Sequence, residues 1–228
     1  MKNIQILIFA FFLLGMAATG QAQDRETRNA GAFDEIFATG NILVELIRGD
    51  QEAVEVEVSG VTLDKVITEV SQGQLKIRMK PGIYKESSVT VRVTYRTLRE
   101  LRATAGGEYY SREVITGDKL AIIASAGGIA ELETDLNAIE LNAGEGSRIT
   151  VSGTARSQRS AVSSGGVLNT TDLESEVVSV KVNTGGKAEV YASQSLEANV
   201  SSGGSLVYSG NPEVETIKTS LGGKAEKL

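Results

Sequence analysis

The stretch "SSGGSLVYSGNP", residues 201–212, sets two adjacent glycines between segments that read as β-strand. Paired glycines weaken a strand, because glycine loses more backbone freedom on folding than any other residue. Yet the device recurs as TAGG (104–107), SAGG (125–128), NAGEG (142–146), SSGG (163–166), NTGG (183–186) and SLGG (220–223). With Gly106, Gly127, Gly144, Gly165, Gly185, Gly203 and Gly222 as markers, the steps are 21, 17, 21, 20, 18 and 19 residues. A period near 19 is the signature of a stacked repeat.

The flanking positions align as well. Five and three residues before the markers come Leu101 and Ala103, Ile122 and Ala124, Ile139 and Leu141, Ser160 and Val162, Val180 and Val182, Ala198 and Val200, and Ile217 and Thr219. Side chains two apart share one face of a strand, so these are assigned inward. The opposite parity, two before each marker, holds Thr104, Ser125, Asn142, Ser163, Asn183, Ser201 and Ser220. All seven are hydroxyl or amide side chains. A second short strand follows the glycines in IAELE (129–133), RITVS (148–152), KAEVY (187–191) and SLVYS (205–209).

Each repeat is thus strand, glycine turn, strand and return loop. Alone it buries too little to offset about 1–2 kcal/mol of backbone entropy per ordered residue. Stacked, each inward Val, Ile or Leu contributes about 1.5–3 kcal/mol. Coils then lie about 4.8 Å apart. A turn repeated at one place in every coil must reach positive φ without a Cβ striking the turn below. The turn glycines Gly106, Gly107, Gly127, Gly128, Gly165, Gly166, Gly185, Gly186, Gly203, Gly204, Gly222 and Gly223 are assigned to both needs. The fold expected is all-β, a parallel β-helix with coils of about 19 residues, whose hand the repeat by itself leaves open. The competing arrangement is an antiparallel sandwich with glycine-rich turns.

Ahead of the repeats, residues 33–105 also read as strands. Ile42, Val44 and Leu46 alternate with polar neighbours, RGDQ turns, and Val54, Val56 and Val58 alternate again. Leu75, Ile77 and Met79 form another strand, and Val89, Val91, Val93 and Tyr95 one more. These residues are read as the helix's first coils or a cap, followed by the Gly-Gly coils of 106–228.

The chain opens MKNIQILIFAFFLLGMAATGQAQD. Lys2, an apolar run and the small residues Gly20 and Ala22 have the form of a secretory signal over residues 1–22, with a linker at 23–32. Export to the periplasm or cell surface is the expectation, and no later stretch is apolar enough for a transmembrane anchor. Cleavage leaves 29 acidic and 22 basic residues, a net charge of −7. That balance argues against a nucleic-acid partner. With no Cys, neither a disulfide framework nor a thiolate metal site exists, and with no His the Ser-His and Cys-His nucleophile systems are excluded.

The short strands with Gly-Gly turns resemble the auto-transporter adhesin family that carries the head GIN domain. So do Phe33, GNILVELIRGD, VEVEVSG and the late VYSGNP before Lys218 to Gly223. The resemblance spans about residues 33–226 and implies a right-handed β-helix with an adhesive role and no recognised catalytic residues. One departure stands out: LGGKAEKL ends the sequence without the barrel strands of an auto-transporter.

No catalytic residue, cofactor or metal site is singled out. The ligand-binding candidates are Ser125, Asn142, Ser163, Asn183 and Ser201 of the polar column, with Tyr191 as a platform for a sugar ring. The same column also suits a structural hydrogen-bonding ladder. Tyr109, Tyr110 and Tyr208 are further aromatic candidates, and Arg48-Gly49-Asp50 is an integrin-type tripeptide as well as an ordinary turn. Scattered carboxylates (Glu131, Glu133, Asp135, Glu140, Glu145, Asp172, Glu174, Glu176 and Glu189) leave a carbohydrate-active enzyme as a minor reading. The leading expectation is a non-enzymatic binding or adhesion module for a carbohydrate or protein. The alternative is a structural protein that forms homo-oligomers through its coil ends.

Overall fold

The computed structural model describes residues 24–228, so the signal segment 1–22 lies outside the described residues. The repeats form a parallel β-solenoid of about seven turns with coils roughly 19 residues apart. Its inward rows run in register from coil to coil. Leu101, Ile122, Leu141, Ser160, Val180 and Ala198 stack in one, and Ala103, Ala124, Ala143, Val162, Val182 and Val200 in the next. All twelve are buried, because strand alternation points every second side chain into the coil. Two sheets result, one before the glycine turns and one after them. A short third side, Ile115–Gly117, Thr134–Leu136, Gly153–Ala155 and Leu173–Ser175, closes the coil.

The turns divide the two tasks assigned to glycine. In each, the fourth residue donates its N–H to the carbonyl of the first, as Gly128 does to Ser125 (2.9 Å) and Gly166 to Ser163 (2.8 Å). Both central residues have positive φ, the pattern of a type I′ turn. The first central place holds a non-glycine residue, Ala105, Ala126, Glu145, Ser164, Thr184, Ser202 or Leu221, at φ between 46° and 52°. The second holds the first glycine of each pair. In the inner coils its missing Cβ would meet open space, as at Gly127, Gly165, Gly185 and Gly203. The second glycine, whose φ is not positive, is the one pressed against the neighbouring coil. A Cβ on Gly128, Gly166 or Gly186 would lie 2.3, 2.4 or 2.8 Å from the carbonyl oxygen of Ala103, Ala143 or Val162.

This geometry also corrects the register of the third repeat. The positive-φ glycine there is Gly146, with Glu145 before it, and not Gly144. With Gly146 as marker the steps become 21, 19, 19, 20, 18 and 19. Ser147 takes the place of the second glycine, is buried, and donates its hydroxyl to the Ala124 carbonyl (2.8 Å).

The solenoid's N-terminal end departs from a simple succession of coils. Glu35–Thr39 pairs in parallel with both Gln74–Met79 and Glu100–Thr104, and Leu43–Arg48 with both Ser88–Tyr95 and Glu108–Ser111. The coil 35–48 is therefore inserted between one made by 74–95 and one made by 100–111. The outermost strands are antiparallel: Val66–Ser71 on Gln74–Met79, Ala53–Ser59 on Ser88–Tyr95, and Asp24–Arg28 on Ala53–Ser59. The expected linker 23–32 thus contains a paired strand. Its charges hold it there, with Arg25 on Glu57 (2.7 Å) and Arg28 on the carbonyls of Val66 (2.7 Å) and Leu63 (2.9 Å).

The last coil, Val214–Thr219 and Lys224–Lys227, places charge in the inward rows. Glu215 follows Leu196, and Lys227 follows Tyr208. Tyr208, buried, donates to Glu215 (2.6 Å), and Lys227 approaches both Glu215 (4.0 Å) and the Tyr208 ring. Inward charge on an edge strand opposes further strand pairing.

Candidate functional site

The polar column occupies the edge where strands enter the glycine turns. Its members do not form a continuous side-chain ladder. Among the described residues, the one such bond between them runs from Ser125 to Thr104 (3.3 Å). Their carbonyls do the repeated work, by closing each turn. Asn142 stands outside the column, since its strand partners are Ile123 and Ala161, and Gly144 fills the equivalent place. Ser125, Ser163 and Ser201 are half-buried and Asn183 is exposed.

Tyr191 lies elsewhere. It ends the strand Lys187–Tyr191 at the corner opposite the glycine turn, so the structure does not bring it to the column. Tyr191 instead borders an open cleft of about 320 Å³ on the short third side, lined also by Asp135, Asn137, Thr154, Arg156, Glu174, Glu176 and Ser193. That size falls at the lower end of small-molecule sites.

Register assembles this cleft. Asp135 pairs with Thr116 and Thr154, and Thr154 with Glu174, which sets one outward row along the solenoid axis. Two residues further along each coil come Asp118, Asn137, Arg156 and Glu176, flanked by the paired rows at Leu136–Ala155 and Ala138–Ser157. Thr154 donates to Asp135 (2.7 Å), and Asn137 to Asp118 (2.9 Å), so neighbouring coils are already tied through their side chains. Arg156, Glu174 and Glu176 form no ion pair among the described residues. Their donors and acceptors face solvent. The cleft therefore offers a phenol ring, one guanidinium, hydroxyls, an amide and three carboxylates. No group of three or more acidic side chains placed to hold a metal ion occurs among the described residues.

In the sequence Asp135, Glu174 and Glu176 are three of many scattered acids. The available signal was their spacing: Thr116, Asp135, Thr154 and Glu174 follow steps of 19, 19 and 20, the period of the glycines.

Most of the other candidates have structural roles. Tyr109 is fully buried and donates to the Ile36 carbonyl (2.6 Å), and burial pushes its phenol far above the ordinary range. Tyr208 lies one coil before the last and donates to Glu215 of the last coil, whereas Tyr110 is exposed. Arg48 of the Arg-Gly-Asp turn donates to the Thr116 hydroxyl, and Gly49 to the Tyr95 carbonyl (2.9 Å). No helix among the described residues is long and apolar enough to cross a membrane.

Comparison with known proteins agrees with this architecture. Residues 32–212 match the family model described as "Putative auto-transporter adhesin, head GIN domain". The crystal structure of a putative adhesin from Bacteroides fragilis superposes with a TM-score of 0.77 at 18% identity, covering 92% of this chain and 98% of that one. A putative adhesin from Parabacteroides distasonis gives 0.71 at 23% identity, covering 91% and 97%. A protein from the same organism described as a putative lipid binding protein gives 0.66 at 20% identity, covering 90% and 96%. At these identities the likeness is one of fold. No curated protein matches the chain.

Proposed function

Since the chain belongs to the family "Putative auto-transporter adhesin, head GIN domain", we propose that it is an exported, non-enzymatic binding module acting in the periplasm or at the cell surface. Its ligand is a carbohydrate, held in the cleft on the third side of the solenoid. The observation that carries this reading is the meeting of Tyr191 and Arg156 at one open cleft whose other walls are hydroxyl, amide and carboxylate side chains. An aromatic face packs against the apolar face of a sugar ring, and fixed polar groups recognise its hydroxyls. A lipid ligand is less well matched. The cleft is polar and charged, and aliphatic side chains occupy the solenoid's interior.

Glycan-array screening followed by calorimetry tests the proposal. Tyr191→Ala and Arg156→Ala should each weaken saccharide binding at least tenfold with an unchanged melting temperature. Loss of binding in Ser163→Ala or Ser201→Ala, with the cleft variants unaffected, would move the site to the turn edge. A protein captured with the same dependence on Tyr191 would replace the saccharide as ligand.

A further inference from the structure

We infer that the cleft is one part of an axial groove that takes a linear oligosaccharide running parallel to the solenoid axis, one sugar residue per coil. The inference rests on the carbohydrate reading above and adds the ligand's form, direction and charge class.

The groove is built by repetition. Asp118, Asn137, Arg156 and Glu176 come from four successive coils, and the row beginning Thr116, Asp135, Thr154 and Glu174 runs beside it. Parallel pairing spaces equivalent side chains by about 4.8 Å. An extended pyranose chain advances by a comparable distance per residue, so over a few residues successive rings meet successive coils, with alternate rings of a β-1,4-linked chain turned by half a rotation. A globular ligand has no such periodicity to match.

Two further features favour a chain. The cross-coil bonds Thr154–Asp135 and Asn137–Asp118 hold part of each row in place before any ligand arrives, which lowers the ordering cost of binding. Tyr191 stands at the end of the rows nearer the C-terminal coil, with Ser209 next to it in the following coil. It is placed to stack on a terminal sugar ring and fix the chain's position.

Charge selects the class. Asp135, Glu174 and Glu176 outnumber Arg156 around the cleft. A polyuronate or sulfated chain would bring like charge against them. The ligand is therefore an uncharged chain, of plain or N-acetylated sugars.

The test is calorimetric titration of the protein with cello-oligosaccharides and N-acetylglucosamine oligomers of one to six residues, with oligogalacturonates as the anionic control. The expected result is a Kd that tightens severalfold with each added residue up to about four, then levels, in a neutral series and not in the anionic one. Arg156→Ala should weaken the tetramer far more than the monomer. A monosaccharide that binds as tightly as the hexamer, or a preference for oligogalacturonates, would overturn the axial chain and leave saccharide binding intact. No binding by either neutral series or the control would remove both readings.

Discussion

Gly166 lies against Ala143 of the preceding coil so closely that a Cβ on the glycine would fall 2.4 Å from the alanine carbonyl oxygen. Gly165, one residue earlier, has φ of +73° and nothing within 4 Å of where its Cβ would stand. One pair of glycines thus meets two different demands, and substitutions should separate them. Gly165→Ala should cost about 1–2 kcal/mol, the penalty of left-handed backbone, and Gly165→Asn less. Gly166→Ala should cost more, because the carbonyl of a stacked coil cannot move without disturbing its own ladder. At about 2–4 °C per kcal/mol, calorimetric melting resolves the two. Equal losses at both positions would contradict the division of roles.

The N-terminal strands are fastened by charge. Arg92 reaches Glu45 (3.0 Å), Glu55 (2.9 Å) and Glu57 (2.7 Å), linking strands 43–48, 88–95 and 53–59, and Arg25 shares Glu57. The Arg92 hydrogen bond, followed by that from Arg25, holds the Glu57 carboxyl below its ordinary range. A carboxylate with a lowered folded-state pKa stabilises the fold above its unfolded value, near 4.5, and that contribution is lost as pH falls through the folded value. Arg92→Met should therefore lower stability at pH 7 by about 1–3 kcal/mol, with the deficit narrowing below about pH 4. Urea unfolding at pH 7, 5 and 3 measures it. A deficit independent of pH would mean that Arg92 acts through packing.

The inward charges of the last coil predict behaviour at high concentration. Glu215 and Lys227 sit in rows that hold Leu196 and Tyr208 one coil earlier. The protein should sediment as a concentration-independent monomer. Glu215→Leu combined with Lys227→Leu removes the inward charges and should produce self-association through the exposed strand edges. Assembly of the unaltered protein would instead support oligomers through coil ends.

Inside the solenoid a polar group interrupts the aliphatic rows. Gln158, Ser160, Thr170 and Ser175 are all buried, with the Gln158 amide donating to Ser160 and Thr170 (2.9 Å each) and accepting from Ser175 (3.3 Å). Gln158→Leu would leave those hydroxyls without these partners and should cost about 1–3 kcal/mol. Replacing all four by apolar residues of similar shape should recover most of that loss. Equilibrium denaturation of the two variants checks both statements.

Much of the architecture was legible because its causes are local. Val180, Val182, Ala198 and Val200 announce their inward faces by alternation, and the SSGG and NTGG turns announce themselves by backbone chemistry. The NAGEG repeat misleads because a glycine sits where the other coils hold Ser, Thr or Asn, so composition points to Gly144 while the left-handed pair is Glu145 and Gly146. The polar column was visible as a pattern, but whether hydroxyls in register bond one another depends on rotamers and exposure.

By itself the amino-acid sequence determined a β-solenoid with a period near 19, since strand alternation and positive-φ demands are carried by a few neighbouring residues. Only the tertiary structure decided that 35–48 lies between 74–95 and 100–111, that Arg156 joins Tyr191 at one cleft, and that Glu215 and Lys227 turn inward. Those relations depend on which distant strands pair. The alternation of a strand reads the same whichever neighbour it finds.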